Sequence, residues 1–121
     1  MLLGLRSAHF HVADVNQAGE WYAAALGTKP YYVAPDYVGF NIGGFDLGLS
    51  PNPAGQQAPA DVYWGVGDIH AALAHFLASG ATRIADVEDV GGGIRIAVVL
   101  DPFGNRLALM ENPHFGKSPA G

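Results

Sequence analysis

The chain has 121 residues and a formal net charge of −5; 50 % of its residues are hydrophobic and 14 % are charged. That length suits one ordinary domain, and the six lysine and arginine residues are scattered, which disfavours a nucleic-acid or anionic-membrane surface. The chain has no cysteine, which excludes disulfides, thiolate metal sites and a cysteine nucleophile. Because no signal peptide or membrane-spanning run stands out, we expect a soluble cytoplasmic protein.

A first strand–helix–strands module is predicted over about residues 4–51. Residues 9–12, His-Phe-His-Val, alternate polar and apolar side chains with the period of two that is typical of a strand. A helix follows, with Asp14 in the pattern of an N-cap and Gly27 where a C-terminal glycine belongs. Three more strands are then predicted, over about Pro30–Ala34, Tyr37–Ile42 and Phe45–Ser50.

The same pattern recurs over about residues 60–112, which indicates an internal repeat. Asp68 matches Asp14 as the predicted cap of a second helix, and Gly80 matches Gly27 at its end. Three strands are again predicted after the helix, over about Arg83–Val87, Ile94–Leu100 and Arg106–Glu111.

The repeat defines the predicted architecture. We expect an α+β fold with one domain over residues 1–112, built from two tandem βαβββ modules whose curved mixed sheets form a cleft. Residues 51–60 are the predicted connecting loop, and residues 113–121 a loose tail. Because each module alone would be only marginally stable, the two are expected to fold together.

Three motifs carry a resemblance to a known family. They are Val-Ala-Asp at residues 12–14, Trp-Tyr at residues 21–22 near the end of the first helix, and Asp-Pro-Phe-Gly-Asn at residues 101–105 before the last strand. With these motifs the chain, from about residue 5 to residue 111, resembles the vicinal oxygen chelate superfamily of glyoxalase, bleomycin-resistance and extradiol-dioxygenase proteins. The resemblance implies paired modules around a cleft for a small molecule, and it favours a homodimer.

The resemblance also implies where a metal would be held. Metal-using members place ligands at four positions on the first and last strands of the modules, and these positions read Ser7, Gly48, Asp61 and Ala108. Of these residues only Asp61 is a credible ligand, whereas a catalytic divalent metal needs about three protein groups. We therefore expect no cofactor, with a divalent metal as the alternative.

Strand alternation predicts which side chains line the cleft. The small residues at positions 48 and 108 are expected to leave volume for an organic ligand, apolar or aromatic in character. Tyr31 and Tyr32 are expected to point to opposite faces, so that only one reaches the cleft, and Trp21 is expected to pack in the core rather than in a dimer contact. The predicted ligand-binding residues are Ser7, His9, His11, Asn41, Asp46, Gly48, Ser50, Asp61, Tyr63, Ile96, Val98, Arg106, Ala108 and Met110.

His9 and His11 leave three readings open. Both rings can line the pocket or bond to the backbone. Alternatively, they can bind a metal in a rearranged site with Asp61 or Asp46 as a third ligand, since His-x-His on a strand places both rings on one face. In the third reading His9 is a general base near neutral pH, with Asp61 as the other candidate catalytic residue.

Two functions are consistent with these residues. The first is a metal-independent protein that binds and sequesters a small molecule. The second is an enzyme of the same superfamily, of lyase, isomerase or dioxygenase type, that uses His9, His11 and Asp61 as acid–base groups or as a rearranged metal site. A structural or regulatory domain that contacts another protein is a third reading, which no motif favours. No nucleic-acid or membrane partner is expected.

Overall fold

The computed structural model describes residues 2–52 and 60–115, and it has the α+β architecture of two successive βαβββ modules. Residues 53–59 of the predicted loop and 116–121 of the predicted tail lie outside the described residues. The elements of the first module are β1 (Leu5–Val12), α1 (Val15–Leu26), β2 (Tyr32–Ala34), β3 (Tyr37–Ile42) and β4 (Phe45–Pro51). Those of the second are β5 (Asp61–Gly65), α2 (Ile69–Ala78), β6 (Thr82–Gly91), β7 (Ile94–Leu100) and β8 (Arg106–Glu111).

Both helices begin at the aspartates that the sequence identifies as caps. The Asp14 carboxylate accepts a hydrogen bond from the backbone N–H of Gln17 at 3.0 Å, and Asp68 accepts one from Ala71 at 3.1 Å. Helix α1 ends at Gly27, which has the left-handed backbone conformation of a C-terminal cap. Among the described residues no helix has the length and apolarity needed to cross a membrane.

Contacts divide the described chain into two units. The amino-terminal unit contains residues 7–52, 60 and 115, and the carboxy-terminal unit contains residues 2–6 and 61–114. The first residues therefore belong with the second module rather than the first. The reason is a pair of backbone hydrogen bonds: Leu3 N–H donates to Gly65 O, and Gly65 N–H donates to Gly4 O, both at 2.8 Å.

Each unit has a mixed four-stranded arrangement. In the amino-terminal unit the order is β2-β3-β4-β1, with β1 and β4 parallel and the other neighbours antiparallel. In the carboxy-terminal unit the order is β5-β8-β7-β6, with β5 and β8 parallel and the rest antiparallel. The strand β6 is longer than predicted and pairs with β7 through several register shifts.

One face of each set of strands packs against its helix and forms a core. Under α1 the core contains Val15, Val38, Phe40 and Leu49; under α2 it contains Val66, Ile69, Ala72, Leu73, Ala97, Val99 and Leu109. The strand residues that alternate with the core residues under α1 point to the opposite side of the strands. We call this side the amino-terminal inner face. It comprises Ser7, His9, His11, Tyr37, Gly39, Asn41, Asp46, Gly48 and Ser50.

The prediction that Trp21 packs in the core is wrong. The side chain is 64 % exposed, and its indole ring contacts the ring of Tyr22 edge-on, with centroids 4.8 Å apart. Tyr22 is the residue of the pair that packs against the core under α1. Since successive helical residues are about 100° apart, the residue next to Tyr22 is rotated away from the sheet.

Candidate functional site

The amino-terminal inner face brings together seven of the predicted ligand-binding residues. The parallel pairing of β1 with β4 sets Ser7 beside Asp46, His9 beside Gly48 and His11 beside Ser50, and β3 sets Asn41 beside Asp46. Side chains at paired positions point to the same face of a sheet. Their role in binding a ligand stays a prediction.

Asp46 is the centre of a hydrogen-bonded network on this face. The Tyr31 hydroxyl donates to Asp46 Oδ1 at 2.6 Å, and the Tyr37 hydroxyl donates to Oδ2 at 2.7 Å. The imidazole Nε2 of His9 lies 3.6 Å from the same Oδ2 and 3.5 Å from the Tyr37 hydroxyl. The network therefore joins β1, β3 and β4 to the segment before β2.

The network shifts the pKa values of its members in opposite directions. Burial acts to raise the pKa of Asp46, but hydrogen bonds with His9, Tyr31 and Tyr37 outweigh it and hold that pKa below the usual value. Burial, followed by contact with the Asp46 carboxylate, raises the pKa values of Tyr31 and Tyr37 well above the usual tyrosine range. At neutral pH the site thus holds an ionised carboxylate and two protonated phenols.

Two glycines leave the space that the Tyr31 and Tyr37 rings occupy. A Cβ atom added at Gly39 would lie 2.7 Å from the Tyr31 hydroxyl, and one added at Gly48 would collide with the Tyr37 hydroxyl and lie 2.7 Å from its Cζ. Both distances are far shorter than an ordinary van der Waals contact. The volume expected above Gly48 is therefore not open, because the Tyr37 ring occupies it.

The expectation that only one of Tyr31 and Tyr32 reaches this face is also wrong. Strand alternation does not relate the two residues, because β2 begins at Tyr32 and Tyr31 precedes it. Tyr31 is held beside β3 by its own backbone N–H, which donates to Gly39 O at 2.9 Å. Meanwhile the Tyr32 ring lies near that of Tyr37, with centroids 6.1 Å apart.

Sequence reasoning did not name Tyr37, and it left Tyr31 as one of two candidates for the cleft without placing it beside Asp46. A usable signal was present: Gly39 and Gly48 are direct cross-strand partners, so the two strands offer adjoining positions without side chains. Such a pair accommodates aromatic rings from nearby segments. Tyr31 and Tyr37 are the aromatic residues that the chain supplies on either side of β2.

The other predicted residues lie in the carboxy-terminal unit. Asp61 is buried, and its Oδ1 accepts a hydrogen bond from Arg106 Nε at 2.9 Å. Burial and, secondarily, the Asp61 charge raise the pKa of the buried Tyr63. The remaining predicted residues of this unit form an apolar cluster around Tyr63; they are Ile96, Val98, Ala108 and Met110. The carboxylate beside His9 is thus Asp46, whereas Asp61 is bound to an arginine.

The residues at the four positions implied for a metal do not fit a divalent ion. The Ser7 hydroxyl is buried and has no hydrogen-bond partner among the described residues. Gly48 and Ala108 offer no donor atom, and Asp61 already binds the Arg106 guanidinium. No group of three His, Asp or Glu side chains within residues 2–52 and 60–115 is arranged to hold a metal ion. This result gives no support to the alternative metal site of His9, His11 and Asp61.

A separate groove lies at the edge of the amino-terminal unit. Its volume is about 190 Å³, and it is lined by Asn16, Glu20 and Ala23 of α1 and by Pro30 and Val33 at the start of β2. None of these residues was predicted as a site residue. The groove does not include the Asp46 network.

Two successive βαβββ modules, with polar side chains on the strand face opposite the helix, define a protein of the glyoxalase type. The chain belongs to the glyoxalase-like domain family, whose model matches residues 7–110. A search of curated proteins gives no match.

Solved structures of the glyoxalase/bleomycin resistance/dioxygenase superfamily share this fold. Methylmalonyl-CoA epimerase from Mycobacterium tuberculosis is 18 % identical, with a TM-score of 0.76 over 97 % of this chain and 93 % of that chain. A variant of the Streptomyces coelicolor epimerase, in complex with 2-nitronate-propionyl-CoA, is 15 % identical, with a TM-score of 0.73 over 95 % and 98 %. A superfamily member from Vibrio splendidus 12B01 is 20 % identical, with a TM-score of 0.65 over 89 % and 99 %.

Proposed function

We propose that this chain binds a small organic molecule on the amino-terminal inner face, without a metal, and sequesters it unchanged. The observation that carries the proposal is the network of Tyr31, Tyr37 and Asp46 beside His9, whose members hold one another in place. Ligand sites combine aromatic surface with a few fixed polar groups, and preordered groups lower the entropic cost of binding.

The exposed aromatic rings support a ligand that is itself aromatic or apolar. Tyr31 is 39 % exposed and Tyr32 is 50 % exposed, so both present ring surface to solvent at the margin of the network. Aromatic pairs contribute about 0.5–1.5 kcal/mol beyond the burial of their surface. The metal-free character of the proposed binding rests on the poor fit of the four implied positions to a divalent ion.

A thermal-shift screen of small aromatic compounds, together with elemental analysis of untagged protein, tests the proposal. A compound present at 100 times its Kd should stabilise the chain by about 2.7 kcal/mol. The compound should be recovered unchanged, and the protein should contain no stoichiometric metal. Stoichiometric metal that is lost on replacing His9 or His11 by Ala would contradict the proposal.

Matched variants locate the site once a binding compound is found. Tyr37→Phe and Asp46→Asn should each weaken binding by about tenfold or more, because a charge-assisted hydrogen bond in the network is lost. Tyr22→Phe, in the core on the other face, and Asp36→Asn, in the exposed turn after β2, are the controls. Equal affinity in all four variants would place the ligand elsewhere.

The position of His9 favours a second candidate, an enzyme that performs metal-free proton transfer. An imidazole oriented by a neighbouring carboxylate is the arrangement of a general base, and His9 has Asp46 at 3.6 Å. The experiment is to incubate each bound compound in deuterated water and to analyse it by mass spectrometry. Deuterium incorporation that disappears in His9→Gln, but not in His70→Gln on the exposed surface of α2, would establish this candidate instead.

The homodimer that the resemblance implies belongs to the same proposal. The exposed indole of Trp21 on α1 supplies apolar surface of the kind that interfaces use. Sedimentation equilibrium of the purified chain should give twice the mass of one chain, and a monomer at all concentrations would remove this part of the proposal.

A further inference from the structure

The donors of the Asp46 network are all directed at one carboxylate. The phenol protons of Tyr31 and Tyr37 are committed to Oδ1 and Oδ2. Nε2 of His9 lies 3.5 Å from the Tyr37 oxygen and 3.6 Å from Asp46 Oδ2. Neither has a proton to offer, since the phenol proton is committed and the carboxylate is ionised. A neutral His9 can therefore donate to these two atoms only in the tautomer that is protonated on Nε2.

This distribution of protons decides what the network offers to a ligand. The phenol oxygens and the Asp46 carboxylate each retain lone pairs, whereas their neighbouring protons are already in use. A ligand that accepts hydrogen bonds would have to take a proton away from a charge-assisted bond to Asp46. A ligand that donates hydrogen bonds meets acceptors that are already in position.

The charge of the site selects for the same kind of ligand. Asp46 is ionised, and its side chain is only 14 % exposed. No lysine or arginine occurs in residues 7–12 or in β2, β3 or β4. The ionised Asp46 carboxylate lies in a chain whose formal net charge is −5. A cation is attracted to such a site, and an anion is repelled.

The aromatic rings around the carboxylate are a third feature that favours a cationic ligand. The ring centroids of Tyr32 and Tyr37 are 6.1 Å apart at an angle of 52°, and those of His9 and Tyr37 are 5.6 Å apart at 57°. Tyrosine faces attract cations that lie within about 6 Å of the ring centre. The site therefore combines an anionic centre with tilted aromatic walls.

We propose that the amino-terminal inner face selects an organic cation with N–H donors, such as a small aromatic or apolar amine, amidine or guanidine. This inference rests on the proposed binding function and specifies its ligand class. The charged nitrogen donates to lone pairs of Asp46 and the phenol oxygens, and its apolar part contacts the tyrosine rings.

Three probes that differ only in their polar group test the charge selection. They are 2-phenylethylamine as the ammonium, 2-phenylethanol and phenylacetate, titrated into the full chain by calorimetry. The ammonium should bind at least about tenfold tighter than the other two, a difference of about 1.4 kcal/mol. Raising the ionic strength should weaken the ammonium more than the alcohol, because only the ammonium gains from the charge.

Two variants with the same change in net charge separate the site from the overall field. Asp46→Asn should abolish the preference for the ammonium, whereas Asp36→Asn, in the exposed turn, should preserve it. If Asp46→Asn fails to fold, nitrogen NMR of His9 in the unaltered protein tests the inference instead, because it shows which ring nitrogen carries the proton. A neutral ring protonated on Nε2 supports the inference, and one protonated on Nδ1 overturns it.

The possible failures are distinct. If phenylacetate or 2-phenylethanol binds as tightly as the ammonium, the selection for cations is refuted and the binding function stands. If none of the three binds but the aromatic screen finds a neutral or anionic ligand, the inference again fails alone. If neither the probes nor the screen gives a ligand, the proposed function fails with it.

Discussion

Replacing Gly48 by Ala tests whether the Tyr37 ring really occupies the position above that glycine. The new methyl group would lie 2.7–2.8 Å from ring carbons, whereas ordinary carbon contacts are about 3.5–4.0 Å. The ring must therefore move by about 1 Å, which breaks the hydrogen bond between Tyr37 and Asp46. Losing a hydrogen bond to a charged group costs about 1.5–3 kcal/mol, and alanine in place of a strand glycine returns about 0.5–1 kcal/mol.

We therefore expect Gly48→Ala to lower the free energy of unfolding by about 0.5–2.5 kcal/mol, measured by urea denaturation. Gly67→Ala is the matched control, because a Cβ at Gly67 meets no atom within 4 Å and its φ is not positive. In a Tyr37→Ala background the cost of Gly48→Ala should vanish or become a small gain. The same loss with and without the tyrosine, or no difference from the Gly67 control, would refute the reasoning.

Three further predictions concern charge and protonation. Because the pKa of Asp46 is lowered, its carboxylate stabilises the fold above pH about 4, and this stabilisation is lost as the pH falls through the folded pKa. The free energy of unfolding in urea should therefore fall less steeply at acid pH in Asp46→Asn than in the unaltered chain. An unchanged acid dependence would contradict this. Because the pKa values of Tyr31 and Tyr37 are raised, both phenols stabilise the fold fully below pH about 10, and this stabilisation is lost as the pH rises through their folded pKa values. Ultraviolet titration should therefore show their phenolates only above pH about 10. Titration of either tyrosine at its usual value would argue against the network. Arg106→Met should lower the free energy of unfolding by about 1–3 kcal/mol, because the buried Asp61 loses its arginine partner. Adding Asp61→Asn should recover part of that loss. If Arg106→Met leaves the free energy of unfolding unchanged, the ion pair does not stabilise the fold.

Local patterns predicted most of the fold. Asp14, Asp68 and Gly27 mark helix ends because their hydrogen bonds and backbone conformation involve only neighbours along the chain. Strand alternation likewise placed Ser7, His9 and His11 on one face, since their register with β4 keeps the period of two. What the sequence missed depends on contacts between distant residues.

The Asp46 network is the clearest of these cases. Tyr31 lies outside any strand, so no periodic rule assigns it a face, and its place depends on a backbone bond to Gly39. The space above Gly48 looked vacant because sequence reasoning counts the side chain at a position and not the ring that reaches over it from Tyr37. In the second module the predicted apolar residues do cluster around Tyr63, because β7 and β8 follow the simple alternation.

The contact between Tyr37 and Gly48 also restricts how this chain can evolve. A metal-using relative would carry a ligand side chain at position 48, and here that side chain and the tyrosine ring would compete for one volume. A single change to Glu at this position would therefore destabilise the protein before it could create a metal ligand. A ligand at this position requires Tyr37 to change first, and that change dismantles the hydrogen bonding around Asp46. The two residues form an epistatic pair, in which position 48 is not free to gain a side chain until position 37 has changed.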